Sequence, residues 1–461
     1  MNTAAVLPFR ADSRATRSET HPLRFISAAS LFDGHDAAIN MIRRLLQSHG
    51  AEVVHLGHNR SVADIVRAAI QEDADGIAVS SYQGGHNEYF AYMVDMLREQ
   101  GVDHIRVIVG GGGTIAPHEV AALERHGVEK IYTPEDGRRL GLDGMIDDVM
   151  KRVAAAKKPT YSFGAGGELD PRDHHQLAQA ISLLESANED DVPAQELKRA
   201  IGKVQSGAPV IGLTGTGGAG KSSLNDELLQ RFVRHFPNRN IAVVAMDPTR
   251  RRSGGALLGD RIRMNSLSAA NVFMRSLATR RQNLATSAVL REVIGLLRLA
   301  SFDLIIVETA GIGQSDTEIT DMVDVSAYVM TSEYGAASQL EKIDMLDFAD
   351  VVVLNKFEKR GAEDALRDVR KQWKRNRVAF QTKDEDVPVY PTIASQFNDP
   401  GISWMFTNLC RLLRAKLQLP DDKWTPHLDT TLKEPRATVL IPGQRARYLA
   451  EIAEQGRGIN K

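Results

Sequence analysis

Pro209-Val-Ile-Gly-Leu-Thr214 runs straight into Gly215-Thr-Gly-Gly-Ala-Gly220-Lys221-Ser222, and Ser223-Leu-Asn-Asp-Glu-Leu-Leu229 follows. An apolar strand, a loop on the pattern G-x-x-x-x-G-K-[ST] and a helix start are thus contiguous. That context separates a phosphate-binding loop from a Gly-rich surface turn. Glycines let successive backbone N–H groups turn inward around a polyphosphate, and the helix N-terminus adds positive potential. The backbone of Gly215, Gly217, Gly218, Ala219 and Gly220, with Ser223 behind it, is expected to cradle the phosphates. Lys221 would reach the β- and γ-phosphates and Ser222 would hold Mg²⁺. The stretch therefore predicts nucleoside triphosphate binding on an α/β scaffold.

Further motifs arrive in order on the C-terminal side, each at the end of an apolar run. Ile241-Ala-Val-Val-Ala-Met246 ends on Asp247, a carboxylate placed to hold Mg²⁺ or its waters. Asp260 follows in a Gly-containing loop suited to moving with phosphate state. Leu304-Ile-Ile-Val307 leads to Glu308-Thr-Ala-Gly311, where Glu308 would orient Mg²⁺ and water, and Gly311 would offer its N–H to the terminal phosphate. Val351-Val-Val-Leu354 leads to Asn355-Lys356-Phe-Glu358. GTPases carry Asn-Lys-x-Asp here, whose acid accepts from guanine N1–H and the exocyclic amino group; adenine offers no such pair of donors. Glu358 is one methylene longer and can make the same contact if its loop shifts, so GTP is the expected substrate. An ATP-dependent kinase is disfavoured by Asn355 and Lys356. Hydrolysis would rest on positioning and electrostatics, with Lys221 and Glu308 as the catalytic pair. No arginine finger stands out: Arg250, Arg251, Arg252, Arg261 and Arg263 lie near the motif loops and read mostly as solvated side chains.

Upstream, residues 23–152 alternate strand-like runs with helical patterns. The runs are Arg24-Phe-Ile-Ser-Ala-Ala-Ser30, Glu52-Val-Val-His-Leu56, Gly76-Ile-Ala-Val-Ser80, Ile105-Arg-Val-Ile-Val109 and Glu129-Lys-Ile-Tyr132, with helices over 37–49, 62–72, 88–100 and 118–126. Five such βα units predict a flavodoxin-like, doubly wound parallel sheet that binds ligands beyond the carboxyl ends of its strands. Three features fall on that edge: Asp33-Gly-His35 after the first strand, Ser80-Ser81-Tyr82 after the third, and Gly110-Gly111-Gly112-Gly113 after the fourth. His35 alone reads equally as core polar packing, a metal ligand or a cofactor ligand. Four glycines after a buried strand point to close approach by something flat and bulky.

At 461 residues the chain exceeds one ordinary core, so two or three domains are expected. A formal charge of −2 argues against bulk nucleic-acid affinity. No apolar run reaches the roughly 20 residues of a membrane helix. One cysteine, Cys410, excludes an intramolecular disulfide framework and a Cys-based metal cluster, and fits a reducing cytoplasm. Residues 1–22 carry arginines and acids without an apolar segment and read as a disordered tail. Residues 153–191 read as a connector, 192–417 as the P-loop α/β domain and 418–461 as a polar linker.

With these residues in place, the first domain resembles the cobalamin-binding domain of adenosylcobalamin-dependent mutases, with its Asp-x-His-x-x-Gly, Ser-x-Leu and Gly-Gly elements. The resemblance implies His35 as lower axial ligand to cobalt and Asp33 as the partner of its other ring nitrogen. It also implies that Ser80, Ser81 and Gly110 to Gly113 line the slot for the nucleotide tail. Ala38 stands where the family has Gly, and Tyr82 where it has Leu. The second domain resembles the G-protein chaperones of methylmalonyl-CoA mutase through Asp247-Pro-Thr, Gly254-Gly-Ala-Leu-Leu-Gly259-Asp260, Arg263-Met264 and Glu308-Thr-Ala-Gly-Ile-Gly-Gln314. In that subfamily the segment around Gln339 and Lys342 is a further switch region.

Both domains in this order are similar to the N-terminal part of the fused isobutyryl-CoA mutases. That resemblance implies adenosylcobalamin and Mg²⁺ as cofactors, a homodimer, an adenosyltransferase that delivers cobalamin, and an acyl-CoA mutase barrel as domain or subunit. A (β/α)₈ barrel takes roughly 250 residues, which the polar stretch after 417 does not offer, so GTP hydrolysis and cobalamin binding are expected here without isomerisation. The alternative is a stand-alone GTPase with a corrinoid or small-molecule sensing domain.

Overall fold

The computed structural model describes residues 22–111, 113–159, 161, 163, 169–187, 190–204, 207–249, 253–279, 289–309, 311, 317–334, 340–341, 343–435 and 448–459. Gly112, Arg250 to Arg252, Gln339 and Lys342 lie outside the described residues.

The first half runs β1 (Arg24–Ser30), α1 (Asp36–Ser48), β2 (Glu52–Arg60), α2 (Val62–Gln71), β3 (Gly76–Ser80), α3 (His86–Glu99), β4 (Arg106–Gly110), α4 (Pro117–His126), β5 (Lys130–Tyr132) and α5 (Pro134–Ala154). Its strands lie in the order β5-β4-β3-β1-β2, all parallel. Strand order reverses at β1, which has β2 on one side and β3 on the other. The loops after β1 and β3 therefore part and open a crevice at the strands' carboxyl ends. Helix α2 illustrates the local logic. Ser61 caps it by accepting from the Asp64 N–H, Ile65, Val66 and Ala69 bury one face, and Asp73 (φ +48) turns the chain beyond its end.

The second half runs α6 (His174–Ser186), α7 (Val192–Ile201), β6 (Val210–Gly215), α8 (Lys221–His235), β7 (Ile241–Asp247), β8 (Ala256–Leu258), β9 (Val272–Ala278), α9 (Leu290–Leu299), β10 (Leu304–Glu308), β11 (Val325–Met330), α10 (Met345–Phe348), β12 (Val351–Leu354), α11 (Ala362–Asn376), β13 (Val389–Pro391) and α12 (Pro400–Leu417). Seven of its strands form a sheet in the order β13-β12-β11-β6-β10-β7-β9, again parallel throughout. Helices cover both faces, which is why the strands read as unbroken apolar runs. Helix α6, in the stretch expected to be a connector, buries Leu177, Ile181 and Leu184 in the core of this second sheet.

Strand β8 departs from the expected organisation. It does not join the second sheet but extends the first as a sixth strand, pairing in parallel with β2 through Glu52↔Ala256 and Val54↔Leu258. Gly255 makes the approach possible, because a Cβ there would strike the carbonyl oxygens of Gln47 and Ala51. The segment before Asp260, expected to be a mobile loop, is thus pinned to the neighbouring sheet.

The two sheets are locked together a second way. Strand β9 is an edge strand, and its outward backbone groups meet side chains of the first half and Arg261. Gln71 Nε2 donates to Val272 O at 3.1 Å and Arg261 Nη1 to Met274 O at 3.2 Å. The Ser276 N–H donates to Glu72 at 3.0 Å, and Arg24 Nη1 donates to Ser276 O at 3.3 Å. Around these plugs sits a buried charge cluster: Arg24 with Glu52, Glu72 and Glu185, Arg261 with Glu72, and Arg275 with Glu185. Each side chain has its partner, which is the condition for burying charge at all.

Candidate functional site

The loop after β6 takes its shape from close approaches. Gly215 (φ +144) lies against Val329, Gly220 (φ +93) against Asn355 Nδ2, and Gly311 (φ +62) against Lys221 Nζ, and at each a Cβ would collide. Gly217 lies opposite the Gly311 carbonyl, and Gly218 (φ +76) faces open space. Ala219 turns its methyl inward and offers its carbonyl to Asn355 Nδ2 at 2.8 Å. Lys221 is buried and donates to Gly215 O at 3.2 Å. Ser223 is half-buried in the first turn of α8.

Beside this loop, three strands deliver three acids. Asp247 ends β7, Glu308 ends β10, and Asp260 follows β8. Ser222 Oγ lies 2.8 Å from Asp260 Oδ1 and 2.7 Å from Glu308 Oε1. A single hydroxyl hydrogen cannot serve two carboxylates, so one contact requires either a proton on an acid or a cation between the oxygens. Burial, and then the Asp260 charge, pushes Glu308 up to about 7 and holds Asp247 well above the ordinary carboxylate range. Hard oxygen donors in mutual repulsion suit Mg²⁺.

Asn225 carries no motif signal, yet it donates to Glu308 Oε2 at 3.0 Å and fixes its orientation. It lies one helical turn after Ser222, on the same face of α8.

At the far side, Asn355 is 2% exposed and ties three segments together. Its Nδ2 holds the phosphate loop, while its Oδ1 accepts from Thr392 Oγ1 at 3.1 Å and from the Ala394 N–H at 3.0 Å. Lys356 (φ +58) is half-buried and Glu358 is exposed on the loop beyond. The segment after β13 was not read from the sequence as part of this site.

Arg261 corrects the expectation of solvated arginines. It is 5% exposed and donates to Glu72 Oε1 at 3.0 Å and also to Gln71 Oε1. Arg263 is exposed, as expected.

In the first sheet's crevice, Asp33 is fully buried while the His35 ring is 63% exposed. Asp33 Oδ1 accepts from the His35 backbone N–H at 2.8 Å and lies 2.9 Å from His35 Nδ1; Oδ2 accepts from the Tyr82 N–H at 2.7 Å. The acid thereby sets the tautomer and leaves Nε2 available to a ligand. Behind lies a cavity of about 350 Å³ lined by Ala38, Ile42, Ser80, Gly110, Tyr132 and Met145 among others. Its walls are apolar apart from a few groups such as the buried Ser80 hydroxyl, which has no protein partner. Ser81 instead accepts from Ser30 Oγ at 3.0 Å.

The glycine run divides. Gly110 faces open space at the cavity. Gly111 packs on Ile115, where a Cβ would collide within the protein itself, and Gly113 (φ +92) forms a turn. A histidine with one nitrogen anchored and a deep apolar slot suit a corrinoid whose tail enters the slot.

Known protein families match both halves of the chain. The profile of the methylmalonyl Co-A mutase-associated GTPase MeaB matches residues 177–415, and that of the B12 binding domain matches residues 23–136. The fused isobutyryl-CoA mutase of Geobacillus kaustophilus is 50% identical over 96% of this chain, and that of Cupriavidus metallidurans 51% identical over 96%. The chain spans only 41% and 40% of those relatives' own lengths. A solved LAO/AO transport system kinase is 25% identical, with a TM-score of 0.39 over 54% of this chain and 73% of that one. On the profile that spans more than half of it, the chain belongs to the methylmalonyl Co-A mutase-associated GTPase MeaB family, with a B12 binding domain placed ahead of the GTPase.

Proposed function

We propose that this chain is the cofactor-handling part of an adenosylcobalamin-dependent acyl-CoA mutase, in which GTP hydrolysis gates cobalamin loading and release. The observation that carries the reading is the path of residues 256–261. Strand β8 is part of the cobalamin-side sheet, Asp260 meets Ser222 in the nucleotide site, and Arg261 returns to Glu72 just past α2. A change at the γ-phosphate that moves Asp260 must therefore strain the first sheet.

Ser222, Asp247, Asp260 and Glu308 would hold Mg²⁺, which supplies charge neutralisation at the β- and γ-oxygens. Lys221 and the glycine loop would hold the phosphates, and Glu358 would read guanine. His35 would bind cobalt, and Ser80 and Gly110 would admit the tail. Isobutyryl-CoA to n-butyryl-CoA interconversion would need an acyl-CoA mutase barrel, as domain or subunit, because the substrate must be held over the cofactor's reactive face. A homodimer and delivery by an adenosyltransferase, in the cytoplasm, complete the proposal.

The test is spectroscopic. Adenosylcobalamin mixed with the chain is expected to shift to the base-off form, and its release rate is expected to differ between GTP and GDP. A cofactor that stays base-on, or a spectrum indifferent to His35→Ala, overturns the cobalamin assignment. A release rate blind to nucleotide would leave a GTPase beside a corrinoid sensor, without gating.

A further inference from the structure

At the opposite end of the first sheet from the crevice, three side chains from separate segments converge. Asp73 follows α2, His104 precedes β4, and His175 lies in the first turn of α6. One ligating atom from each lies within 4.8 Å of the others. His104 is 9% exposed, yet neither ring nitrogen has a hydrogen-bond partner. Asp73 Oδ1 and His175 Nε2 are likewise buried and unpartnered. The two rings stack at 6.2 Å with 22° between their planes.

Buried imidazole nitrogens normally find partners, because an unmet polar group there costs roughly 1–3 kcal/mol. Three residues that each bring a ligating atom to one place, and each carry an unpartnered buried polar atom, are better explained by a shared ligand than by separate failures. Electron-rich nitrogens and a carboxylate oxygen ask for a cation.

We propose that Asp73, His104 and His175 form a transition-metal site, of the kind Zn²⁺ occupies, that staples the first sheet to helix α6 of the second half. Two imidazoles and one carboxylate are ordinary zinc ligands, and a water would complete the tetrahedron. Such a shell, with bonds of about 2.0–2.1 Å, sets its ligands roughly 3.3 Å apart. Closing from the present spacing takes ring rotations on the order of 1 Å. Lys158 lies nearby: its Nζ holds Asp73 Oδ2 at 3.0 Å and Asp75 Oδ1 at 3.1 Å. That leaves Asp73 Oδ1 without a hydrogen-bond partner. His175 also borders a surface groove of about 640 Å³, which gives water and metal a way in.

The experiment uses the full chain carrying His35→Ala, which removes the exposed imidazole of the crevice, after treatment with a chelator. Titration with Co²⁺ is expected to produce the intense visible bands of tetrahedral cobalt, and Zn²⁺ to abolish them by displacement. Both His104→Gln and His175→Ala are expected to lose the bands while retaining GTP hydrolysis, which reports that they fold. The exposed His118→Ala should keep them. Absence of tetrahedral cobalt in the parent chain, or bands that survive in both histidine variants, overturns the site.

Discussion

Glu72 and Arg261 pair at 3.0 Å across the junction of the two sheets, 189 residues apart in sequence and both buried. Arg261 is the immediate neighbour of Asp260, so one peptide separates the charge cluster from the nucleotide site. Removing one partner strands the other in a low-dielectric setting. Glu72→Gln or Arg261→Met should each destabilise the protein by about 3–5 kcal/mol, and the double substitution should recover much of the loss. Denaturant unfolding of the three variants measures this. Should the double variant be stable, its cobalamin release is expected to become insensitive to nucleotide.

Asp33 would act on cobalt through His35, whose Nδ1 lies 2.9 Å from its Oδ1. Asp33→Asn should retain base-off binding but weaken it about 10–100-fold, whereas His35→Ala should abolish the base-off spectrum. Titration of cobalamin against each variant separates the two effects. Equal losses would mean that Asp33 serves the loop rather than the ring.

Glu308 gives the nucleotide site a pH dependence. Without a divalent cation it keeps its proton up to about pH 7 in the fold but only to about 4.5 when unfolded. The folded chain thus binds more protons between those values, and its stability falls as pH rises through that window. Mg²⁺ must displace the same proton, so Mg²⁺-dependent GTP binding should strengthen from pH 5.5 to about 7 and then level off. Glu308→Gln should flatten the profile, as calorimetric titration at several pH values would show.

Two adjacent glycines offer a sharp contrast. Gly111→Ala drives a methyl into Ile115 and should cost about 1–3 kcal/mol of stability, read as a lower melting temperature. Gly110→Ala adds its methyl to open space at the cavity and should leave melting nearly unchanged while weakening cobalamin binding.

Much of this was legible in advance, because strand–loop motifs are local. The phosphate loop, the acids at strand ends and the Asp33–His35 pair all sit where short-range pattern places them. Strand β8 escaped notice because three residues carry no periodicity; its only signal was Gly254-Gly255, the second of which permits the approach to α1 and β2. Strand β9 was hidden by Arg275, a charge that reads as solvated but is fully buried against Glu185. Glu72 looked like a helix-end acid and Arg261 like one of several loop arginines. Their meeting is set by tertiary packing across 189 positions, and no window of sequence contains it.

The plugging of β9 also bears on modularity. A ribbon whose amides and carbonyls are answered by Gln71, Glu72, Arg24 and Arg261 is not the rim of a detachable cassette. Excised alone, the GTPase half would keep Arg261 but lose Gln71, Glu72 and Arg24, leaving most of the rim open to strands from other copies. Grafting it onto a different cofactor carrier would require recreating that row of plugs at the same spacing. Carrying both halves on one polypeptide keeps plug and socket matched through every round of synthesis.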